Sequence, residues 1–105
     1  MKNKYGVKLD SNGYAPSIVT AYKDDACFWC DSMGDLVRHE IFNGALREKS
    51  KALGCWVVVC PACHDRLHRE ADQRLQLKQI GQRYAMAWYD WDEQKFIEEF
   101  GKNYD

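Results

Sequence analysis

The sequence predicts a small α+β domain stabilised by zinc, in which two short strands are followed by helices. Three features predict this class. Two Cys-x-x-Cys pairs lie 29 residues apart, an aromatic and β-branched run directly precedes the second pair, and apolar residues recur at helical spacing after it. The chain has 105 residues, of which 46% are hydrophobic, so we expect a single domain over residues 1–105 whose modest core benefits from a bound metal.

The residues before the first cysteine pair predict mainly irregular structure. Turn-forming residues are frequent at Ser11–Gly13 and at Pro16. A short strand is predicted over residues 17–19, where Ser, Ile and Val follow one another. The start of the chain is polar and no run is long enough to span a bilayer, so we expect a cytoplasmic protein without membrane contact. In that compartment paired cysteines are more often metal ligands than disulfides.

The segment between the cysteine pairs predicts two strands and a short helix. Residues 36–41 predict a strand that enters the Asn43-Gly44 pair, a sequence typical of hairpin turns. Residues 47–53 predict two helical turns that end at Gly54. Residues 56–59 read Trp-Val-Val-Val and predict the strongest strand of the chain, which leads directly into the second cysteine pair.

The residues after Cys63 predict two helices. The first is predicted from an apolar stripe at three- and four-residue intervals, which Gly81 weakens. The stripe consists of Leu77, Ile80, Tyr84, Ala87, Trp88 and Trp91. The pair Asp90 and Glu93 resembles a capping box and predicts the start of a last helix that ends at Gly101.

The two cysteine pairs predict one tetrahedral zinc site. Cys27, Cys30, Cys60 and Cys63 supply four thiolates, which complete the coordination of the ion and leave no position for water. The predicted zinc ion is therefore structural. Cys55 falls outside this pattern and is predicted to be a small core residue.

The histidines predict a second metal site. His64 follows the last zinc ligand and His68 lies four residues later, so a helix would place both imidazoles on one face. His39 and Glu40 are adjacent on the first predicted strand, where neighbouring side chains point to opposite faces, so only one of them is expected to face the helix. Alternatively, His64 competes as a zinc ligand, or His68 is a solvent-facing helix residue.

The charges are unevenly distributed, although the net charge is only -1. Residues 38–83 hold nine Lys and Arg against five acidic residues, whereas residues 84–105 hold six acidic residues and two lysines. An ordinary mixed surface also gives such a pattern. As a nucleic-acid interface, the basic middle would face the phosphates and the acidic end would face away. The predicted phosphate contacts are Arg38, Arg47, Lys49, Lys51 and Arg66.

The order of these motifs resembles the zinc-bearing HNH endonucleases of phages and bacteria, whose active unit is a ββα-metal finger. The matching pieces are Cys27-Phe28-Trp29-Cys30, Arg38-His39-Glu40-Ile41-Phe42-Asn43-Gly44, Arg47-Glu48-Lys49-Ser50 and the run from Gly54 to Cys63-His64. The resemblance covers residues 26–70 closely, so that residues 71–105 would form a C-terminal helical extension. The strand carries His-Glu where many relatives carry His-His, and the asparagine of the family name has no clear equivalent.

The resemblance implies a metal-dependent endonuclease that hydrolyses DNA phosphodiester bonds and nicks one strand if it is monomeric. It places His39 and Glu40 at the two positions that normally supply the general base and one metal ligand, and Arg47 as a phosphate contact. We expect His39 to activate water, because imidazole titrates near neutrality and a carboxylate is the better magnesium ligand. His64 and His68 would hold a catalytic divalent ion, Mg²⁺ or Mn²⁺, with Glu40 as a further ligand. In the usual register of the family, His39 and Glu40 would exchange these roles.

Two other functions are compatible with the sequence. The first is a catalytically inactive zinc module that binds DNA or protein, in which His39 and Glu40 are ordinary polar residues. The second is an assembly protein that docks a partner through Trp88, Trp91 and Phe96, although such aromatic residues are more often core contacts. The resemblance also implies a phage- or prophage-encoded protein in the bacterial cytoplasm, with DNA and other phage proteins as partners, and it leaves the oligomeric state open.

Overall fold

In the computed structural model the described residues are 1–19 and 25–105, and they form four α-helices and one two-stranded sheet. In chain order the elements are β1 (Val37–Glu40), α1 (Arg47–Ala52), β2 (Trp56–Val59), α2 (Pro61–Arg69), α3 (Ala71–Tyr89) and α4 (Glu93–Phe100). The predicted α+β class is therefore confirmed. Within the described ranges, none of the helices is long and apolar enough to cross a membrane.

The sheet pairs β1 and β2 antiparallel, with Glu40 opposite Trp56. Strand β2 has the bounds that its sequence predicts, and all four of its side chains are buried. Strand β1 is one residue shorter at each end than predicted. One further backbone bond follows the ladder, from the Ile41 N–H to the Cys55 carbonyl at 3.0 Å. The pairing of this short sheet fixes the positions of His39 and Glu40, which are described below.

The connection between the strands contains a short helix, and the predicted hairpin turn at Asn43-Gly44 was wrong. Gly44 adopts a φ of 64° and starts a single 3-10 turn that leads into α1. Ser50 closes the connection, because its hydroxyl accepts from the Phe42 N–H at 3.1 Å and donates to the Cys55 carbonyl at 2.6 Å. The chain does not turn back directly after β1, because Phe42 is fully buried and first enters the core.

Residues 17–19 do not form the predicted strand. The Ser17 hydroxyl donates to the Trp56 carbonyl at 2.6 Å, and the Ile18 N–H donates to the Gly54 carbonyl at 2.9 Å. One of these bonds comes from a side chain and the other from the backbone, so they do not form a β-ladder. The strand prediction was therefore wrong. The Ile18–Gly54 contact requires a glycine at position 54. Gly54 has a φ of 75°, and an added Cβ would lie 2.4 Å from the Pro16 carbonyl oxygen.

Two helices, α2 and α3, follow β2 with a break between them. Helix α2 begins at Pro61, a favourable first helical position, and the Cys60 sulfur accepts from the Cys63 N–H at 3.5 Å. At Glu70 the backbone is extended, with φ -111° and ψ 107°. Arg74 of α3 spans the break, because its guanidinium donates to two carbonyls at the end of α2 at 3.0 and 2.8 Å.

The buried face of α3 differs from the predicted apolar stripe. Leu77 is buried as predicted, but Tyr84 and Trp88 are 44% and 59% exposed. The buried residues of α3 are Leu77, Gly81, Gln82 and Ala85. Gly81 determines which face of α3 is buried, because only a residue without a Cβ can approach Ile41 this closely. An added Cβ would lie 2.7 Å from the Ile41 side chain. The stripe was wrong because hydropathy alone does not register the close approach that a glycine allows.

Helix α4 is capped two residues later than the predicted capping box requires. Asp90 has a left-handed backbone, with φ 56°, and ends α3. Asp92 caps α4 instead, because its side chain accepts from the Lys95 N–H at 2.8 Å. The predicted end of the helix at Gly101 is confirmed.

The main core joins α4 to the residues that follow β1. The Phe42 ring lies 5.6 Å from the Phe96 ring and 4.4 Å from the Phe100 ring, measured between centroids. Trp91 is also buried. Trp91 and Phe96 are thus core residues, and Trp88 is the one exposed member of the predicted docking surface.

Candidate metal centres

The four cysteines of the two Cys-x-x-Cys pairs converge on one point, as the sequence predicts. Their sulfur atoms lie within 4.8 Å of one another, and those of Cys30 and Cys60 are 3.7 Å apart. Four sulfurs at about 2.3 Å from one zinc ion lie about 3.8 Å apart in a tetrahedron. All four cysteines are free thiols. The residues of this cysteine cluster therefore fit a zinc ion.

The loop after the first pair fixes its position. The Cys27 N–H donates to the Ser32 carbonyl, and the Asp31 N–H donates to the Cys27 carbonyl, each at 2.8 Å. Asp31 has a left-handed backbone, with φ 65°, which turns the chain tightly at this point. The Phe28 N–H donates to the Val58 carbonyl of β2 at 2.9 Å. The first pair is thus attached to the strand that leads into the second pair.

The thiols of the cysteine cluster differ in acidity. The Cys63 N–H and the Ser32 side chain lower the pKa of Cys60 to about 6, and hydrogen bonds with Ser32 lower the pKa of Cys30. Burial raises the pKa of Cys63 to about 12. Zinc binds cysteines as thiolates, so binding releases the protons of those thiols that are still protonated. Cys55 lies outside the cluster as a fully buried residue, and burial raises its pKa to about 12.

The three histidines converge on a second point. The His39 ring lies 5.5 Å from His64 and 5.8 Å from His68, and the rings of His64 and His68 are 4.5 Å apart. Their metal-binding nitrogens lie within 4.8 Å of one another, and the Nε2 atoms of His64 and His68 are 3.2 Å apart. Two nitrogens at about 2.0 Å from one ion lie about 3.3 Å apart in a tetrahedron, so this histidine cluster also fits a metal ion.

The histidine cluster forms because β1 crosses the first turns of α2. His64 and His68 share one helix face, as their spacing predicts, and His39 is the strand residue that faces the helix. Burial, together with the positive charges that His64 and His68 can carry, lowers the pKa of His39 to about 4. The pKa of His64 is also lowered, mainly by burial. His39 and His64 are therefore neutral at pH 7, which is the form that binds metals.

The donor atoms of the histidine cluster favour a transition metal. Imidazole suits zinc, iron, nickel and copper, whereas magnesium prefers oxygen ligands. Glu40, which the sequence assigned to the ion, is not part of the group of converging donors. Three protein ligands also leave at least one coordination position open, as in catalytic zinc sites.

Glu40 is held by two other side chains. The Tyr14 hydroxyl donates to one carboxylate oxygen at 2.8 Å, and Arg47 Nε donates to the other at 2.5 Å. Burial raises the pKa of Glu40, but the hydrogen bonds from Arg47 and Tyr14 outweigh it and leave the pKa below its ordinary value. Glu40 is therefore an oriented carboxylate that is ionised at neutral pH.

Tyr14 is a site residue that the sequence analysis missed. It lies 26 residues before Glu40, in a segment with only turn signals, and its ring packs edge-on against Trp56 at 5.5 Å. Nothing in its local sequence indicates a contact with β1. Only the tertiary structure brings this hydroxyl to the carboxylate.

A cleft of about 190 Å³ joins the histidine cluster to Glu40 and Arg47. Its walls consist of Arg38, His39, Glu40, Asn43, Arg47, His64 and His68. The described part of the chain also contains two larger grooves, of about 310 and 360 Å³, the first of which shares Arg38 with the cleft. We take the smallest of the three as the candidate site because, of these three, it alone is lined by the histidine cluster.

The five basic residues predicted to bind DNA are not on one surface. Arg38 and Arg47 line the cleft. Lys49 of α1 does not line the cleft and donates to the Glu99 carbonyl of α4 at 2.8 Å. Lys51 is buried, with 7% of its surface exposed, and Arg66 is exposed on α2. Lys51 is therefore not available as a surface phosphate contact.

In comparisons with known proteins, no family model, curated protein or solved structure matches this chain.

Proposed function

We propose that this protein is a metal-dependent endonuclease of the HNH type that nicks DNA by hydrolysing a phosphodiester bond. The observation that carries the proposal is the meeting of three imidazoles, one oriented carboxylate and one arginine in a single cleft. These are the groups that phosphodiester hydrolysis needs: a site for a cation, an acceptor for the proton of water and a cationic contact for phosphate. The sequence motifs support the same activity.

In this proposal His39, His64 and His68 hold the catalytic ion. A bound ion would act as a Lewis acid on the phosphate and on the leaving oxygen. Neutral His39, buried between β1 and α2, fixes the position of the site relative to the sheet. This assignment exchanges the roles favoured from the sequence, because His39 points toward the other two imidazoles and Glu40 does not belong to that group.

Glu40 is then the general base. Its carboxylate is ionised and held by Tyr14 and Arg47, and each oxygen keeps a free lone pair for the proton of an attacking water. Arg47 has further N–H donors beyond the one that contacts Glu40, and its side chain is 55% exposed. Those donors are suited to hydrogen-bond the oxygens of the scissile phosphate.

The cysteine cluster has a structural role in the proposal. Its four thiolates would close the coordination of zinc and tie the loop before β1 to the start of α2. Since His39 lies on β1 and the other two histidines on α2, this zinc would hold together the two elements that carry the second ion. The proposed setting is a reducing cytoplasm, such as that of a bacterial host of a phage, where the thiols persist.

The test is nicking of supercoiled plasmid by zinc-loaded protein, with Mg²⁺, Mn²⁺, Co²⁺ and added Zn²⁺ compared in separate reactions. We expect nicking that depends on the added ion, with a transition metal more effective than Mg²⁺. His39→Ala should abolish it, and Glu40→Gln should reduce its rate about 10²- to 10⁴-fold. Glu48→Gln, which changes an exposed carboxylate on α1, is the matched control.

Three results would count against the proposal in different ways. Folded, zinc-loaded protein that binds DNA but never nicks it would indicate an inactive zinc module. Nicking by Glu40→Gln at the wild-type rate would refute the role of Glu40. Full activity of His39→Ala would refute the histidine site.

A further inference from the structure

A groove of about 310 Å³ lies beside the cleft, and Arg38 forms part of both. The walls of the groove are mainly apolar, with Leu9, Pro16 and the edges of Tyr14 and Trp56. Arg38 lies two residues before Glu40 in β1, so both side chains are on the same face of the strand, and Tyr14 contacts both of them. The groove is therefore continuous with the site at which the scissile phosphate is proposed to bind.

Arg38 is held in one orientation by three neighbours. Its Cζ atom lies 4.3 Å from the centroid of the Tyr14 ring and 4.8 Å from that of the Trp56 ring. Its Nη1 donates to Asp10 Oδ2 at 2.8 Å. The side chain nevertheless remains 40% exposed. The guanidinium thus lies against two aromatic rings while part of the group is open to solvent.

This arrangement suits stacking better than phosphate binding. The charge of Arg38 is already paired with Asp10, so the electrostatic attraction to a phosphate is reduced. A fixed guanidinium plane is instead a surface on which nucleobases stack, as aromatic rings are. The apolar walls of the groove would shield a stacked base from water, and exposed Lys8 lies at its edge to meet the neighbouring backbone.

We infer that Arg38 and this groove bind an unpaired nucleobase of the nucleotide next to the scissile phosphate. The inference rests on the proposed nuclease function and adds a substrate preference to it. A base that stacks on Arg38 cannot remain within a duplex stack, so single-stranded or locally opened DNA binds in preference to regular duplex.

The experiment measures the affinity of short single-stranded DNA by fluorescence anisotropy, in the Glu40→Gln background so that the probe is not cut. A series of probes carries one abasic residue at successive positions. One position is expected to weaken binding about tenfold, because stacking of a single base has about this effect on affinity. In Arg38→Lys, which keeps the charge and removes the plane, this abasic effect should disappear.

Two further variants make the result specific. Arg83→Lys changes an exposed arginine that pairs with Asp105, and it should keep the tenfold abasic effect. Asp10→Asn removes the carboxylate that pairs with Arg38 while keeping the Oδ1 that accepts from the Asn12 and Tyr14 N–H groups. It should therefore increase the overall affinity for DNA and reduce the abasic effect, which a purely electrostatic contact would not do.

The outcomes separate this inference from the proposed function. An abasic series without any sensitive position, or the same abasic effect in Arg38→Lys as in the parent, would overturn the inference even if wild-type protein nicks plasmid. A sensitive position that depends on Arg38, in a protein that never nicks, would keep the subsite and refute the nuclease. Absence of binding to every probe by folded protein would overturn both.

Discussion

The cysteine cluster and the histidine cluster both draw donors from α2 and differ in how many coordination positions they leave open. The cysteine cluster joins the loop before β1 to the start of α2, whereas the histidine cluster joins β1 itself to α2. The cysteine cluster has four donors, which close a tetrahedron, whereas the histidine cluster has three. The histidine cluster alone shares a cleft with an ionised carboxylate and an arginine. The number of donors and the neighbours of each cluster, rather than burial, are what separate the structural from the catalytic role under the proposed function.

The comparison also separates the clusters by chemistry. Thiolates are soft donors and select zinc, whereas imidazoles accept several transition metals and leave a position for water. Removing a cysteine should therefore affect folding, and removing a histidine should affect only the second ion and the activity.

The largest expected effect is the loss of the fold when the cysteine cluster is broken. Cys63→Ala should abolish zinc binding and leave no cooperative thermal transition, because structural zinc contributes on the order of 10 kcal/mol to small domains of this kind. Zinc content by metal analysis and circular dichroism on heating are the measurements. Cys55→Ala is the control, since it removes a thiol that is equally buried but outside the cluster and should keep the zinc.

The second effect is confined to the histidine cluster. His64→Ala should keep the zinc of the cysteine cluster and the folded far-ultraviolet spectrum, while the affinity for a second ion falls at least about 100-fold. Titration of the zinc-loaded protein with Co²⁺, followed by absorbance, measures this affinity. Asp65→Ala, at the adjacent exposed position, should bind the second ion as the wild type does. If His64→Ala also loses the first zinc, the two clusters are not separate sites.

The third effect concerns the contact between α3 and Ile41, the residue that follows β1. Gly81→Ala places a Cβ about 2.7 Å from the Ile41 side chain, and overpacking of this kind lowers the free energy of unfolding by about 1–3 kcal/mol. Chemical denaturation with urea measures the change, and zinc content should stay the same. Gln76→Ala, on an exposed position of the same helix, should not destabilise the protein. An increase in the free energy of unfolding in Gly81→Ala would show that Ile41 and α3 move apart to accommodate the methyl group without cost.

The smallest effect is the loss of one hydrogen bond to Glu40. Tyr14→Phe removes the donor at 2.8 Å and keeps the packing of the ring on Trp56. Under the proposed mechanism the nicking kcat should fall about tenfold with KM nearly unchanged, because the hydroxyl holds the carboxylate in position for the proton of water, and tenfold corresponds to about 1.4 kcal/mol, close to the contribution of one hydrogen bond. Tyr84→Phe, an exposed tyrosine on α3, is the control. An equal loss in both variants would assign the effect to something other than Glu40.

The sequence by itself determined the features that depend on neighbouring residues. The Cys-x-x-Cys pairs, the run Trp56–Val59 and the spacing of His64 and His68 were read correctly, because each reflects local geometry over one turn or one strand. The end of α4 at Gly101 was also predicted from neighbouring residues, because a glycine readily adopts the left-handed conformation that ends a helix.

Only the tertiary structure decided the features that depend on distant partners. The buried face of α3 follows from the approach of Ile41 to Gly81, and the connection after β1 follows from the burial of Phe42. His39 meets the two helix histidines because the sheet packs on α2. Tyr14 donates to Glu40 because the amino-terminal segment packs on the sheet. Such contacts join residues that are far apart in the chain. The sequence near each residue therefore does not indicate which partner it contacts or how strongly.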